Sequence, residues 1–426
     1  MKFQSLGLAA KIQKAIDTCG YIKMTPVQEK SIALARRGKD LLVNAQTGTG
    51  KTAAFALPVL QQMIEKASVN AFGHPRALIL TPTRELAEQL SKTIGAYAQF
   101  LDFRITAAYG GVKTAGQANK LKSGVDILIA TPGRLLEHLN LGNVNLAEIE
   151  FVVLDEADRM LDMGFVSDVD KIISQIKQKH QTLLFSATMT PALNELSHKV
   201  LTNHQEIRVS KINKTADTVE HVMYPVDEDR KIDLFMDLLE EYNWYQVLVF
   251  TSTKSQANRL LETLKKKKIP AGLCHADKSQ GSRRRALAEF KAAKLQVLVA
   301  TEVAARGIDI EGLDFVVNYN LPFLPEDYVH RVGRTGRAGK SGTAISFVSR
   351  EEEKAVNRIQ KVIGGEIKRI FRRGYEVSDR TPLIKNISKK PSFKKTTKAK
   401  SAKADSKKSN LGKTWTAKSK KPKPKR

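Results

Sequence analysis

The chain reads as two consecutive α/β domains followed by a basic tail, and three observations predict this. Short apolar runs alternate with amphipathic stretches of helical length, the alternation breaks once in a polar segment, and positive charge accumulates at the C-terminus. The 426 residues also exceed what one core of ~150 residues needs, so two or three units are expected.

The first set of strand-like runs is LLVNA (41–45), ALILTP (77–82), DILIATP (126–132), FVVLDE (151–156) and TLLFSAT (182–188). Runs apolar on both faces are what parallel strands look like when helices cover both sides of a sheet. The rhythm stops at SKINKTADT (210–218), read as a linker, and resumes with HVMYPV (221–226), QVLVFTS (246–252), AGLCHA (271–276), QVLVATE (296–302), FVVNYN (315–320) and TAISFVS (343–349). The expected boundaries are 1–209 for the first domain, 219–370 for the second and 371–426 for the tail. From Lys385 to Arg426 there are 17 Lys and Arg against one acid, Asp405, which makes +16 of the chain's net +27. That segment has too little apolar surface to offset its ordering entropy and is expected to be disordered.

Composition excludes several classes. A 42% hydrophobic and 27% charged chain belongs with folded globular proteins rather than disordered ones. No run approaches the ~20 apolar residues of a spanning helix, and the opening MKFQSLGLAAKIQK has no apolar signal core. A cytoplasmic protein without membrane contact is expected. Cys19 and Cys274 supply neither a disulfide framework nor a CxxC pair, so they are read as buried inert thiols and a cysteine-ligated zinc is excluded.

Chemistry gathers at strand ends, where open α/β sheets bind ligands. The run 41–45 leads into Ala45-Gln46-Thr47-Gly48-Thr49-Gly50-Lys51-Thr52 and then helix-like AAFALPVLQQMIEK, which is a phosphate-binding P-loop with Ala where the strict pattern has Gly at 45. Its glycines let backbone N–H groups turn around a phosphate, Lys51 supplies a point charge, and the Thr52 hydroxyl can ligate Mg²⁺. FVVL then delivers Asp155-Glu156-Ala157-Asp158. A P-loop NTPase needs one strand-end acid for the metal and another to polarise water, and Asp155 and Glu156 fit these roles. Alone, such an acidic cluster is usually a solvated loop; beside a P-loop it is not. In the second half His330-Arg331-Val332-Gly333-Arg334-Thr335-Gly336-Arg337 spaces three arginines among glycines. Arginine in trans stabilises a transferring phosphoryl group, so ATP is expected between the domains.

With these pieces placed, the chain resembles the DEAD-box ATP-dependent RNA helicases, with motifs in family order from residue 3 to about 350. Beyond AQTGTGKT and DEAD it carries Tyr21-x3-Thr25-Pro26-x-Gln28, Pro82-Thr83-Arg84-Glu85-Leu86, Gly110-Gly111, Thr131-Pro132-Gly133-Arg134, Ser186-Ala187-Thr188, Gln280-x2-Arg283 and Thr301-Glu302-x3-Arg306-Gly307-Ile308-Asp309. DKSQGSRRRALAEFK and the short loops further resemble the bacterial RhlE branch. The resemblance implies tandem RecA-like domains that use ATP and Mg²⁺ to remodel RNA locally and nonprocessively. It implies that Gln28 reads adenine while Tyr21 stacks on it, that Asp309 holds the ribose, and that Arg334 and Arg337 reach the γ-phosphate. Ser186 and Thr188 would link the DEAD carboxylates, Asp158 included, to closure, with His330 as a further coupling residue. Pro82, Thr83, Arg84, Gly110, Gly111, Thr131, Pro132, Gly133, Arg134, Arg283, Thr301 and Gly307 would line an RNA track suited to sugar–phosphate contact without base reading. Singly, Gly110-Gly111 is just a turn and TPGR just a loop. Ribosomal or RNA-decay assemblies are the partner classes in view, and the sequence does not choose between them.

Glu302 stands where the family usually has Asp, and Ala276 where Gly is common. Lys265 to Lys268 is read as a solvated helix end. The rivals are a DNA-directed helicase and a passive RNA-binding chaperone driven by the tail; Lys51, Glu156 and the arginine set argue against the second.

Overall fold

The computed structural model describes residues 1–45, 48–66, 74–209, 219–305, 310, 313–336 and 341–378, with the backbone alone at 303 and 305. The linker expected at 210–218 and the charged part of the tail lie outside the described residues.

Among the described residues there are two seven-stranded sheets, and each pairing within them is parallel. The first contains β1 (Leu41–Asn44), β2 (Ala77–Leu80), β3 (Ile105–Ala108), β4 (Ile127–Ala130), β5 (Phe151–Leu154), β6 (Gln181–Ser186) and β7 (Gln205–Arg208), in the order β3-β4-β2-β5-β6-β1-β7. The second contains β8 (Val219–Pro225), β9 (Val247–Thr251), β10 (Ala271–Cys274), β11 (Val297–Thr301), β12 (Phe315–Asn318), β13 (Gly342–Val348) and β14 (Lys368–Arg369), ordered β10-β11-β9-β12-β13-β8-β14. Every predicted run contains a strand. The strands not predicted, β3, β7 and β14, are all sheet edges. An edge strand packs less of its surface, so its sequence carries a weaker apolar signal: in β7 only Ile207 is buried, and both residues of β14 are exposed.

Helices cover both faces. Val43, Ile79, Ile129 and Phe185 point into one apolar layer, while their neighbours Leu42, Leu80, Leu128 and Leu184 point into the other. Local chemistry sets where the helices start. α2 (Pro26–Arg36) begins at a Thr25–Gln28 capping box with Pro at its first position. α3 (Lys51–Glu65) begins at Gly50 in the left-handed region, and α4 (Arg84–Tyr97) is capped by the Thr83 hydroxyl.

Register brings the motifs together. Ala108, Ala130, Leu80, Leu154, Leu184 and Leu42 pair across the first sheet in one row. Gly110, Thr131, Thr83, Asp155, Ser186 and Ala45 therefore all lie within a few residues of the same carboxyl-end rim. The N–H groups of Thr81, Thr131, Asp155 and Ala45 bind carbonyls on adjacent strands, which fixes where each motif loop begins.

One boundary moves. Residues 371–378, expected to open the tail, continue along the second domain: Tyr375 is buried, donates its hydroxyl to Asp237 at 2.6 Å, and carries the Arg230 guanidinium 4.5 Å above its ring. Tail composition masked this, because two aromatics, Phe371 and Tyr375, among mostly polar residues carry no periodicity, and only Tyr375 is buried. Among the described residues, no helix is long and apolar enough to cross a membrane. Burial raises both thiol pKa values, although Cys19 is only partly buried while Cys274 is fully so.

Candidate functional site

The P-loop leaves β1 with Ala45 buried, and its Gly48 and Gly50 have φ of +80° and +87°. The bare Gly50 also leaves room for Gln28: a Cβ there would lie 2.3 Å from Gln28 Nε2 and displace that side chain. Lys51 opens α3 at 7% exposure, and its Nζ has no hydrogen-bond partner among the described residues. A buried ammonium without a partner is costly, and at a helix N-terminus it marks a place made for an anion. Thr49 precedes it and the half-buried Thr52 follows; Gln46 and Thr47 lie outside the described residues.

Asp155 and Glu156 are buried directly after β5. Burial is the main force raising the Asp155 carboxyl to about 6; Lys51 opposes it, and Glu156 and Asp158 add to it. Glu156 sits at φ +54°, a strained conformation for a residue with a side chain, and its N–H donates to Asp155 Oδ1 at 3.1 Å. Asp158 Oδ2 accepts from Ala187 N, Thr188 N and Thr188 Oγ1 at 3.1, 2.9 and 2.9 Å, while Ser186 Oγ donates to the Thr188 carbonyl at 2.7 Å. The loop 186–188 is thus bolted to α7 (Ala157–Asp162). Among the described residues no cluster of three or more His, Cys, Asp or Glu is arranged to hold a metal. Mg²⁺ commonly needs only one or two protein oxygens besides phosphate, and the Thr52 hydroxyl and Asp155 are hard donors of that kind.

Gln28 does more than its motif suggested. Its Oε1 accepts from Thr25 N at 2.8 Å and its Nε2 donates to the Gly50 carbonyl at 3.1 Å, so it ties the segment before α2 to the P-loop. Tyr21 is 39% exposed, stacks on Phe3 with centroids 6.0 Å apart, and places its hydroxyl 3.3 Å from that of Tyr97.

In the second domain, Asp327 and Arg331 are buried on α14 (Pro325–Val332), and the half-buried His330 is on the same helix. Arg331 donates to Glu302, Asn318 Oδ1 and the Asn320 carbonyl at 2.5, 3.2 and 2.7 Å and lies over the Phe250 ring. The first arginine of the set is therefore an internal clamp, and Glu302 reaches it with its longer side chain. Arg334 follows, buried, with its carbonyl accepting from Leu313 N at 3.2 Å. Arg337 and Asp309 lie outside the described residues.

A cavity of about 400 Å³ is lined by Pro82, Thr83, Arg84, Gly110, Thr131, Gly133 and Arg134 from the first domain and by Ala276, Arg283 and Ala304 from the second. Most of the expected RNA residues are thus brought together. Pro132 opens α6 (Pro132–Asn140) at its edge, Thr301 ends β11, and Gly307 lies outside the described residues. At Gly111, φ is +77° and a Cβ would lie 1.7 Å from Arg84 Nη1, so only glycine allows that guanidinium its place. Two arginines are already engaged. Arg134 donates to Gln117 at 2.9 Å and to the Val112 carbonyl at 3.1 Å, bracing the loop after Gly111. Arg283 pairs with Glu85 at 2.7 Å across the domains, and Gln280 Nε2 donates to the same carboxylate at 3.2 Å.

Other residues at the junction were not singled out from sequence. On α12 (Gln280–Lys291), Arg284 donates to Glu88 at 2.8 Å and to the Tyr109 hydroxyl at 2.7 Å. Arg159 pairs with Asp327. The only available signal was complementary charge, Glu85 and Glu88 one turn apart on α4 against Arg283 and Arg284, and it does not reveal that the two helices meet. Lys265 to Lys268 is exposed at the end of α11 (Lys254–Lys266), as expected.

The DEAD/DEAH box helicase family matches residues 25–196, and the helicase conserved C-terminal domain matches residues 230–339. The ATP-dependent RNA helicase RhlB of Pseudomonas aeruginosa is 41% identical over 371 residues, covering 86% of this chain and 94% of that protein. The ATP-dependent RNA helicase CshA of Listeria monocytogenes is 42% identical over 82% of this chain, which spans 66% of that longer protein. Among solved structures, Saccharomyces cerevisiae Dbp5 bound to RNA and ADP BeF3 matches with a TM-score of 0.78 at 30% identity, covering 87% of this chain and 95% of that one. A variant of the same yeast protein with Nup159, Gle1, IP6 and ADP gives 0.58 at 29% identity over 86% of this chain and 96% of that one. The two parallel sheets are tandem RecA-like domains, and with such likeness over more than four fifths of its length the chain belongs to the DEAD-box family of ATP-dependent RNA helicases.

Proposed function

We propose that this chain separates short RNA duplexes, or strips protein from RNA, locally and nonprocessively, by closing its two domains over ATP and single-stranded RNA and reopening after hydrolysis. The observation that carries the reading is the division of labour. Lys51, whose buried Nζ has no hydrogen-bond partner among the described residues, belongs with Asp155 and Glu156 to one domain, while Arg331 on α14 and Arg334 just after it belong to the other.

Lys51 and the loop amides hold the phosphates, and Glu156 accepts a proton from the attacking water. Thr52 and Asp155 would hold Mg²⁺, whose chemistry when bound is to neutralise phosphate oxygens. Gln28 reads adenine with the N–H and lone pair its internal bonds leave free, Tyr21 offers a ring face, and Asp309 takes the ribose. Arg334 and Arg337 stabilise charge on the transferred phosphoryl group, and Asp158, Ser186, Thr188 and His330 relay that state to closure. The residues around the 400 Å³ cavity hold the RNA sugar–phosphate backbone, with Arg134 and Arg283 acting partly through the loops and helices they brace. The domain limits proposed are 1–209 and 219–378, followed by a basic tail that tethers RNA. Ribosomal or RNA-decay assemblies are the two partner classes this reading leaves open.

The test is ATP turnover with and without single-stranded RNA, alongside unwinding of short and long duplexes. Turnover should rise with RNA, and only short duplexes should open. RNA-independent turnover, or equal stimulation by single-stranded DNA of the same sequence, would overturn the reading in favour of its rivals.

A further inference from the structure

Arg159 and Asp327 form a buried ion pair between the two domains that no role assigned above uses. Arg159 is the third residue of α7, directly after Asp158, and Asp327 is the third residue of α14. The guanidinium donates to the Asp327 carboxylate and, at 3.3 Å, to Asp162 on its own helix. Arg159 is 2% exposed and Asp327 3%. With the domains apart, both groups would lie on domain surfaces in water, where Asp162 still accompanies Arg159.

A buried pair adds little net stability, because desolvation offsets attraction, but one charge buried without its partner is strongly unfavourable. Such a contact selects among dockings: it permits the one that joins the two groups and opposes any that buries one alone. Both ends are wired to the nucleotide machinery. Asp158, next to Arg159, holds the loop 186–188 by three hydrogen bonds. Asp327 lies one turn before Arg331, which is clamped to Glu302, and Arg334 follows the end of the same helix.

We propose that Arg159–Asp327 is a register-setting closure pair, which lets the second domain dock only where Arg334 meets the phosphate site and so makes the grip on RNA depend on bound nucleotide. This rests on the helicase reading above. Both are positioning residues, acting through α7 and α14 rather than on the reacting atoms.

The experiment is fluorescence anisotropy of a labelled single-stranded RNA, with ADP–beryllium fluoride and without nucleotide. The wild type should bind more tightly with the analogue. Asp327→Asn and Arg159→Met should each lose that gain by ~100-fold or more, while nucleotide-free RNA affinity and thermal melting stay those of the wild type. The double variant Arg159→Met/Asp327→Leu should recover most of the gain, because an apolar pair of similar volume leaves no stranded charge. A merely structural side chain would not show loss in the singles and recovery in the double. If Arg159→Met melts early, the isosteric Asp327→Asn carries the test. Singles that keep the gain, or a double no better than the singles, would overturn the proposal. A wild type without any nucleotide-dependent gain would instead overturn the helicase reading.

Discussion

Replacing Asp155 by Asn should stabilise the nucleotide-free protein while ending ATP turnover. Burial raises the Asp155 carboxyl to about 6, against 3.8 for an exposed aspartate, with Lys51 pulling the other way. Relative to the unfolded chain, the folded chain favours the neutral acid, so ionising it costs folding free energy. The gap between 3.8 and about 6, roughly 2 pH units at ~1.36 kcal/mol each, gives about 3 kcal/mol. The sign follows from which state holds the proton. Below about pH 4 both states hold it and nothing is lost; from about 4 to 6 the unfolded chain releases it first and stability falls; above about 6 the cost is complete. Asn keeps the oxygen that accepts the Glu156 N–H at 3.1 Å and carries no charge at any pH. For a domain of ~150–200 residues each kcal/mol moves Tm by ~2–4 °C, so Asp155→Asn should melt roughly 6–12 °C higher near neutral pH. Differential scanning calorimetry in chelator, without nucleotide, from about pH 4.5 to 8 is the assay. Equal melting at neutral pH, or a difference that does not shrink on acidification, would show that buried charge at Asp155 is not a source of strain.

Other expectations concern single groups. Glu156→Gln should abolish hydrolysis yet leave ATP and RNA bound together, and turnover within a few-fold of wild type would remove Glu156 as the base. Gln28→Ala should erase preference for ATP over GTP and loosen Gly50, to which Gln28 donates at 3.1 Å; a wild type that turns over both nucleotides equally would sink the adenine role. Lys231 is fully buried with Nζ 2.7 and 2.6 Å from the carboxylates of Glu228 and Glu352. Lys231→Ala should cost the second domain about 3–5 kcal/mol in chemical denaturation, and a loss under about 1 kcal/mol would contradict the ion-pair account. A chain ending at Leu383 lacks the +16 segment. If that segment neutralises about five phosphates, the log–log salt slope of RNA binding should become shallower by about 3.5 at unchanged maximal ATPase, and identical slopes would leave the tail without an RNA role.

What the sequence determined by itself is local. The phosphate loop and the strand-end carboxylates are legible because each depends on neighbours within a few residues: Gly50 on its own φ, Asp155 on the apolar run before it. The eleven predicted strands are legible because burial on both faces demands continuous apolar runs. Tertiary structure alone decided the rest. Edge strands β3, β7 and β14 are recruited by hydrogen bonding to an existing sheet rather than by their own apolarity. Tyr375 becomes core only because the second domain offers it Asp237 and Arg230. Arg134, Arg283 and Arg331 look alike in sequence, yet each is committed to a different partner by packing: to Gln117, to Glu85 across the domains, and to Glu302. An arginine's reach spans several candidate acids, so its choice is set by which backbone segments the fold brings together, and for Arg159 and Asp327 that choice exists only when the two domains meet.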